Sequence, residues 1–210
     1  MELVKTKPDS KQGIYAKSEF VSGANKKFAV DMAEEMIKWL DKTNGNFKGQ
    51  HPACYAIAHC QVTASKNPLR FFVLNKSLVN KDKANDNFYF ESQAIFNALI
   101  LESPDKIKKD VPQRTATKTE SGKVEVSMKM EKKMVENKIE VPEGCMSFPY
   151  RKAKNMTRYH TIKVEYQYIG MFGQLKTFKG WVSGLKAHII QHECDHFNAV
   201  NIFHNGPGNS

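Results

Sequence analysis

The chain has 210 residues, 40% of them hydrophobic and 26% charged, and 32 Lys and Arg against 22 Asp and Glu give a net charge of +10. This length can bury one respectable core as a single domain, and no apolar run approaches the ~20 residues of a membrane span, which argues against a transmembrane protein. Cys54, Cys60, Cys145 and Cys194 form no pairing framework and the start lacks the apolar stretch of a signal peptide, so a soluble protein in a reducing, cytoplasmic compartment is expected.

In chain order, residues 1–25 are polar and hold Pro8, Gly13 and Gly23, which predicts an irregular N-terminal segment. From Lys26 to Lys42 the residues Phe28, Met32, Met36 or Ile37 and Leu40 recur at helical spacing, and Thr43-Asn44-Gly45-Asn46 ends that amphipathic helix. Strand-like runs follow at 69–75, 88–96 and 160–169. In the last, Ile162, Val164, Tyr166 and Tyr168 alternate with polar neighbours, as a half-buried antiparallel strand requires. The stretch from Pro104 to Lys138 is rich in Lys, Glu and Thr and lacks aromatics, while Val124, Val126, Met128 and Met130 alternate with polar residues. It reads as a long insertion containing one strand of an exposed hairpin, either a plain surface feature or a lid whose methionines meet a substrate. Gly170-Met171-Phe172-Gly173 turns the 160–169 strand back onto a partner at 174–182. Trp181 to Gln191 reads as helix, with Trp181, Leu185, His188 and His192 on one stripe. Strands first and a helix last predict an α+β fold, antiparallel sheets packed around that C-terminal helix. Residues 204–210 read as a disordered tail.

Residues 192–196 are His-Glu-Cys-Asp-His. Residues four apart on a helix lie on one face, ~6 Å apart along the axis, so His192 and His196 can offer two imidazoles to one divalent metal. Glu193 projects from the adjoining flank, placed to handle the proton of an activated water. The bland alternative is two histidines along a buried helix face. A third protein donor is needed, and no acid follows His196 within two turns. The best remaining candidate is Cys145 in Glu143-Gly144-Cys145-Met146-Ser147, as a soft thiolate ligand, although a free cysteine is more often a small buried hydrophobe. His188 lies ~12 Å along the helix from His196, too far to share that ion, and a groove-lining role suits it better.

Glu-Gly-Cys-Met-Ser followed some forty residues later by Gln-His-Glu-x-Asp-His resembles peptide deformylase, whose members remove the formyl group from the initiator methionine of new chains. The upstream family signature Gly-x-Gly-Leu-Ala-Ala-x-Gln aligns with Cys54-Tyr55-Ala56-Ile57-Ala58-His59-Cys60-Gln61. Gln61, Ala58 and the aliphatic Ile57 match, while Cys54 and Ala56 replace two glycines and His59 the second alanine. Ala94-Ile95-Phe96-Asn97 is similar to the family's strand ending in Asn-Pro, with Ala98 where proline is usual. The resemblance implies metal-assisted amide hydrolysis in a single catalytic domain at 26–203, the insertion at 104–138 being extra. It implies Cys145, His192 and His196 as metal ligands and Glu193 as the proton carrier. The side-chain amide of Gln61 and the backbone N–H of Met146 become the donors for the formyl oxygen. Fe2+ is the implied native metal, with Zn2+, Ni2+ or Co2+ able to occupy the site.

Around these, Glu143 and Arg158 are expected to form an internal ion pair supporting the cysteine loop, Asp195 to fix a neighbouring group, and Cys194 to lie in the core. Tyr55, Ala56 and Ile57 are expected to meet an extended substrate by strand addition, and Leu185 and His188 to line its side-chain groove. The expected partners are N-formyl-methionyl peptides and, weakly, the ribosome through the basic region 151–190, which has eight Lys or Arg against Glu165 alone. No DNA or membrane partner is expected. Two other functions stay open: a deformylase-like metal-binding module that has lost turnover but binds peptide or ribosome, and a His-Glu-x-x-His metalloendopeptidase.

Overall fold

Phe71-Phe72-Val73-Leu74 is apolar at every position, and all four residues are buried. A strand covered on both faces needs that composition, and two helices supply the cover. In the computed structural model, which describes residue 3 and residues 11–43, 55–79, 89–118, 123–148 and 151–203, this segment is strand β2. It lies inside a five-stranded antiparallel sheet. In chain order the elements are α1 (Lys26–Thr43), β1 (Ala56–Ala58), β2 (Phe71–Leu74), β3 (Ala94–Glu102), β4 (Lys106–Lys118) and β5 (Val124–Glu136). They continue as β6 (Lys138–Glu143), β7 (Lys154–Tyr159), β8 (Thr161–Ile169), β9 (Leu175–Ser183) and α2 (Gly184–Phe197). The main sheet has the order β1-β2-β3-β8-β9, and β4-β5 and β6-β7 form two separate two-stranded sheets. The α+β expectation holds.

Phe71 and Val73 face α1, where Ala29, Ala33, Met36 and Leu40 complete one core cluster with Ile57, Ala94 and Phe96. Phe72 and Leu74 face α2, where Ala187, Ile190, Cys194 and Phe197 pack with Ile95, Ile162, Val164 and Tyr166. The buried stripe of α1 is therefore shifted from the expected one. Phe28 is exposed, and only the edge of its ring reaches His59, at 6.3 Å between centroids. Small Ala29 and Ala33 let the helix lie close to the sheet, which the larger Phe28 could not.

The alternation read for 160–169 is that of β8, and Gly170–Gly173 turns it onto β9. The strand expected at 88–96 begins only at Ala94: residue 88 is outside the described residues and Phe90 makes just an isolated bridge to Val79. Glu91 is turned inward there, against Tyr166 and Lys186, so the backbone leaves the ladder. The expected helix from Trp181 also starts later. Trp181 lies on β9, paired with Lys163 of β8, and Gly184, at φ +60, permits the abrupt passage from strand to helix. Residues 124–136 form the expected hairpin strand, paired along β4 over its whole length. The predicted tail 204–210, Cys54 and the helix-ending Asn44 to Asn46 lie outside the described residues, as do 1–2 and 4–10. From residue 11 to 25 the chain is irregular except for a short 3-10 turn and an isolated bridge from Glu19 to Leu69, yet it is pinned: Asn97, at φ +55, bonds Val21 through both its side-chain oxygen and nitrogen, at 2.7 and 2.8 Å.

Among the described residues, Lys186 is the one lysine buried in the core. Its ammonium bonds the Tyr89 carbonyl at 2.9 Å, approaches Glu91 at 3.4 Å, and sits over the rings of Phe90, Tyr166 and Phe178. Removing one partner of such a pair strands the other charge in low dielectric. Urea unfolding of Lys186→Ala is expected to show a loss of about 3 kcal/mol, against less than about 1 kcal/mol for Lys163→Ala in its half-exposed pair with Glu102.

Candidate metal centre

Strand β6 ends at Glu143 and delivers Gly144 and Cys145 directly beside α2, whose last two turns carry His192 and His196. The ligand atoms of Cys145, His192 and His196 all lie within 4.8 Å of one another. Cys145 Sγ is 3.4 Å from His196 Nε2, close to the ~3.6 Å separating a thiolate and an imidazole nitrogen on one tetrahedral ion with ordinary bond lengths. The rings of His192 and His196 stand edge to face at 4.9 Å, as residues one turn apart must when both turn toward a common point. Cys145 and His196 are buried, and His192 nearly so.

The electrostatics suit a cation. Burial opposes ionisation of the Cys145 thiol, but the imidazoles of His196 and His192 outweigh it and hold the thiol well below its usual range. Glu193 is buried beside the three donors, and burial pushes its carboxyl above the usual range. Its Oε2 and the Nδ1 of His196 have no hydrogen-bond partner among the described residues. A buried carboxylate oxygen left without a donor is costly, and here it adjoins a cluster suited to a metal and its water. The donor set and the orphaned oxygen therefore fit a divalent ion.

Glu143 holds the site together. Its Oε2 meets His192 Nδ1 at 3.0 Å and Arg158 Nη2 at 2.8 Å, while Oε1 accepts from Arg158 Nε at 2.7 Å. Arg158, from β7, also reaches Asp195 at 2.6 Å. Burial opposes ionisation of Glu143, but the hydrogen bonds from Arg158 and His192 bring its pKa down to about 2. With Nδ1 engaged, His192 keeps Nε2 for the site. Gln61, in the turn after β1, accepts from Ala58 N at 2.8 Å, donates to Ser147 Oγ at 3.0 Å and lies 3.8 Å from Cys145 Sγ.

The other expected site residues are placed less uniformly. Cys194 is in the core, its Sγ 3.5 Å from the Ala98 carbonyl. Met146 packs partly buried against the cluster beneath α1, and Leu185 against the one beneath α2. His188 turns its ring edge toward His160 at 6.4 Å, and its Nε2 is buried without a partner among the described residues. The Ile57 side chain is fully buried beneath α1. The Tyr55 carbonyl accepts from Asn75 N, just past the end of β2, at 2.9 Å. Ala56 lies on the edge strand β1. His59 stacks on Phe71 at 4.8 Å and accepts from Leu69 N at 2.9 Å, and burial lowers its pKa to about 4, so it is a neutral core residue.

Two positioning residues were not singled out from sequence, though both sit inside the quoted motifs. Ser147 takes the Gln61 amide. Gln191 bonds both the N–H and the carbonyl of Tyr159, at 2.9 and 2.8 Å, fastening α2 to β7 just before His192. The Glu143 clamp yields a prediction: Glu143→Gln should weaken metal binding ~10- to 100-fold in a competition titration with a chromogenic chelator, with the far-ultraviolet circular dichroism spectrum retained.

The comparisons agree with this geometry. Residues 4–207 match the family profile described as polypeptide deformylase. Among solved structures, the peptide deformylase of Thermotoga maritima is 21% identical with a TM-score of 0.52, covering 92% of this chain and 90% of its own. The class I type b enzyme of Acinetobacter baumannii is 19% identical with a TM-score of 0.55, covering 97% of each chain. The deformylase of the Vibrio parahaemolyticus bacteriophage VP16T, solved with actinonin, is 20% identical with a TM-score of 0.52, covering 96% of this chain and all of its own. No curated protein matches. By the profile matched over nearly its whole length, the chain belongs to the polypeptide deformylase family.

Proposed function

We propose that this chain hydrolyses the formyl amide of N-formyl-methionyl peptides and releases formate. The observation that carries the reading is the convergence of Cys145, His192 and His196 within 4.8 Å beside a buried Glu193. These three residues would hold a divalent ion, Fe2+ by family resemblance, with Zn2+, Ni2+ or Co2+ as substitutes the donors also accept. Bound there, such an ion supplies Lewis-acid activation of water and of the formyl carbonyl. Glu193 takes the proton of the attacking water and passes it to the departing amine, and burial tunes its carboxyl upward, toward the operating pH. As the formyl oxygen gains charge, the Gln61 amide and the Met146 N–H donate to it. Ser147 and Ala58 hold Gln61 in place beforehand, so little reorganisation accompanies the reaction.

On this reading residues 26–203 form one catalytic domain with the 104–138 ribbon inserted, working in the cytoplasm. Ala56 on β1 and Leu185 and His188 on α2 flank the substrate. A weak ribosome contact through 151–190 has only charge in its favour. Arg158, Lys163, Lys179 and Lys186 are already ion-paired, leaving Arg151, Lys152, Lys154 and Lys176 without such a pair among the described residues.

The test is formate release from formyl-Met-Ala-Ser by protein purified without oxygen and loaded with Fe2+ or Ni2+. Glu193→Ala is expected to abolish turnover with the metal retained, and Gln61→Ala to lower kcat ~100-fold or more, about 3 kcal/mol of activation. Internal cleavage of an unformylated peptide would instead indicate an endopeptidase. Stoichiometric metal without hydrolysis would indicate a binding module.

A further inference from the structure

β4 and β5 pair with each other over thirteen positions, and no other described strand borders either edge. Alternation along β5 puts Val124, Val126, Met128, Met130 and Met134 on one face. All five are exposed, Met128 at 73%. A row of exposed apolar side chains marks an interaction surface, and methionine adapts its shape to varied partners. At the base of the ribbon lies a cavity of about 640 Å³, lined by Lys106, Lys108, Lys109, Met134, His160 and Trp181 among others. Lys108 and Met134 are cross-strand partners, so the methionine face reaches the cavity, while Ile107 and Lys109, which also line it, belong to the ribbon's other face. On the cavity's other side, His160 packs against His188, one helical turn before the metal donor His192. Methionine face and cavity thus form one path along the surface, with His160 and His188 standing between it and the metal donors.

The charge along that path is unbalanced. Lys106 is held by Glu136, and Lys163, which covers Trp181, by Glu102. Lys108 and Lys109 make no ion pair among the described residues. An occupant with apolar side chains and acidic groups satisfies both features, and an extended chain can in addition pair with a free ribbon edge.

We propose that this face of the ribbon and the cavity at its base dock the extended, still unfolded polypeptide that follows the formylated residue. The inference rests on the deformylase reading and names how its substrate is held beyond the first residues. Two measurements on the full chain test it. The first compares kcat/KM for formyl-Met-Ala-Ser with that for a ~12-residue formyl peptide, ~40 Å long when extended, whose added residues are apolar and acidic. The second follows fluorescence anisotropy of the same long peptide, labelled and unformylated so that it is not turned over, with the metal-loaded protein. The long peptide is expected to gain about tenfold in kcat/KM, through KM, and to bind in the anisotropy assay. In the Met128→Ser/Met130→Ser double variant and in Lys108→Glu, the ratio of long to short substrate is expected to fall to about one and the anisotropy signal to be lost. Equal kcat/KM for the two lengths with no binding overturns the proposal. So does capture of an RNA oligonucleotide in place of the peptide, or a dimer that the same variants dissolve. Peptide binding without formate from any substrate supports the surface and overturns the deformylase reading.

Discussion

A thiol and two imidazoles brought together in a buried pocket repel neither water nor one another strongly enough to stay apart, but nothing intrinsic holds them in one arrangement. That task falls to Glu143. Its carboxylate bridges His192 on α2 and Arg158 on β7, and Arg158 reaches back to Asp195 on α2. The cysteine loop, the β6-β7 pair and the C-terminal helix are thereby tied through one acid. Such a bridge between charged, largely buried groups is worth little as net stability, since desolvation offsets much of its attraction. Its value is positional: it fixes which nitrogen of His192 is left for the site and how far Cys145 stands from the helix.

Behind that bridge stands the two-faced sheet. β2 and the first half of β3 bury both faces, so α1 and α2 cannot slide relative to the strands without opening a core cluster. Arg70 adds a lateral tie. Its guanidinium lies over the rings of Phe20 and Phe197, and its Nε donates to the Ala98 carbonyl, which also faces Cys194. The far side of α2 is anchored in this way, and its near side is free to present His192, Glu193 and His196 to the pocket.

Much of this is legible in the residues themselves. The 3.6-residue period gives α1 and the 2-residue period β8, since each buries one face more deeply than the other. Where burial is absent or two-sided, period says less. β6 alternates only between exposed and half-buried, and the one buried position of β7 is the charged Arg158, so no apolar strand signal separates them from loop. The Trp181 stripe continues the helical period backwards by coincidence, and only the positive φ of Gly184 shows where strand ends and helix begins. The His-Glu-x-x-His spacing makes two donors readable, because four residues on a helix are a fixed distance. Cys145 stands 47 residues before His192, a separation no local rule encodes, so elimination offers it as a candidate and the family resemblance supplies the assignment. His59 shows the opposite case: beside a motif it invites a chemical role, yet its partners are Phe71 and Leu69.

The account depends on one sulfur and two imidazole nitrogens sharing an ion. X-ray absorption at the metal edge of the reconstituted protein tests this most directly. The predicted spectrum fits one sulfur scatterer at ~2.3 Å and two imidazole nitrogens at ~2.0–2.1 Å, with the sulfur shell replaced by oxygen or nitrogen in Cys145→Ser. A first shell containing no sulfur in the unaltered protein would contradict it.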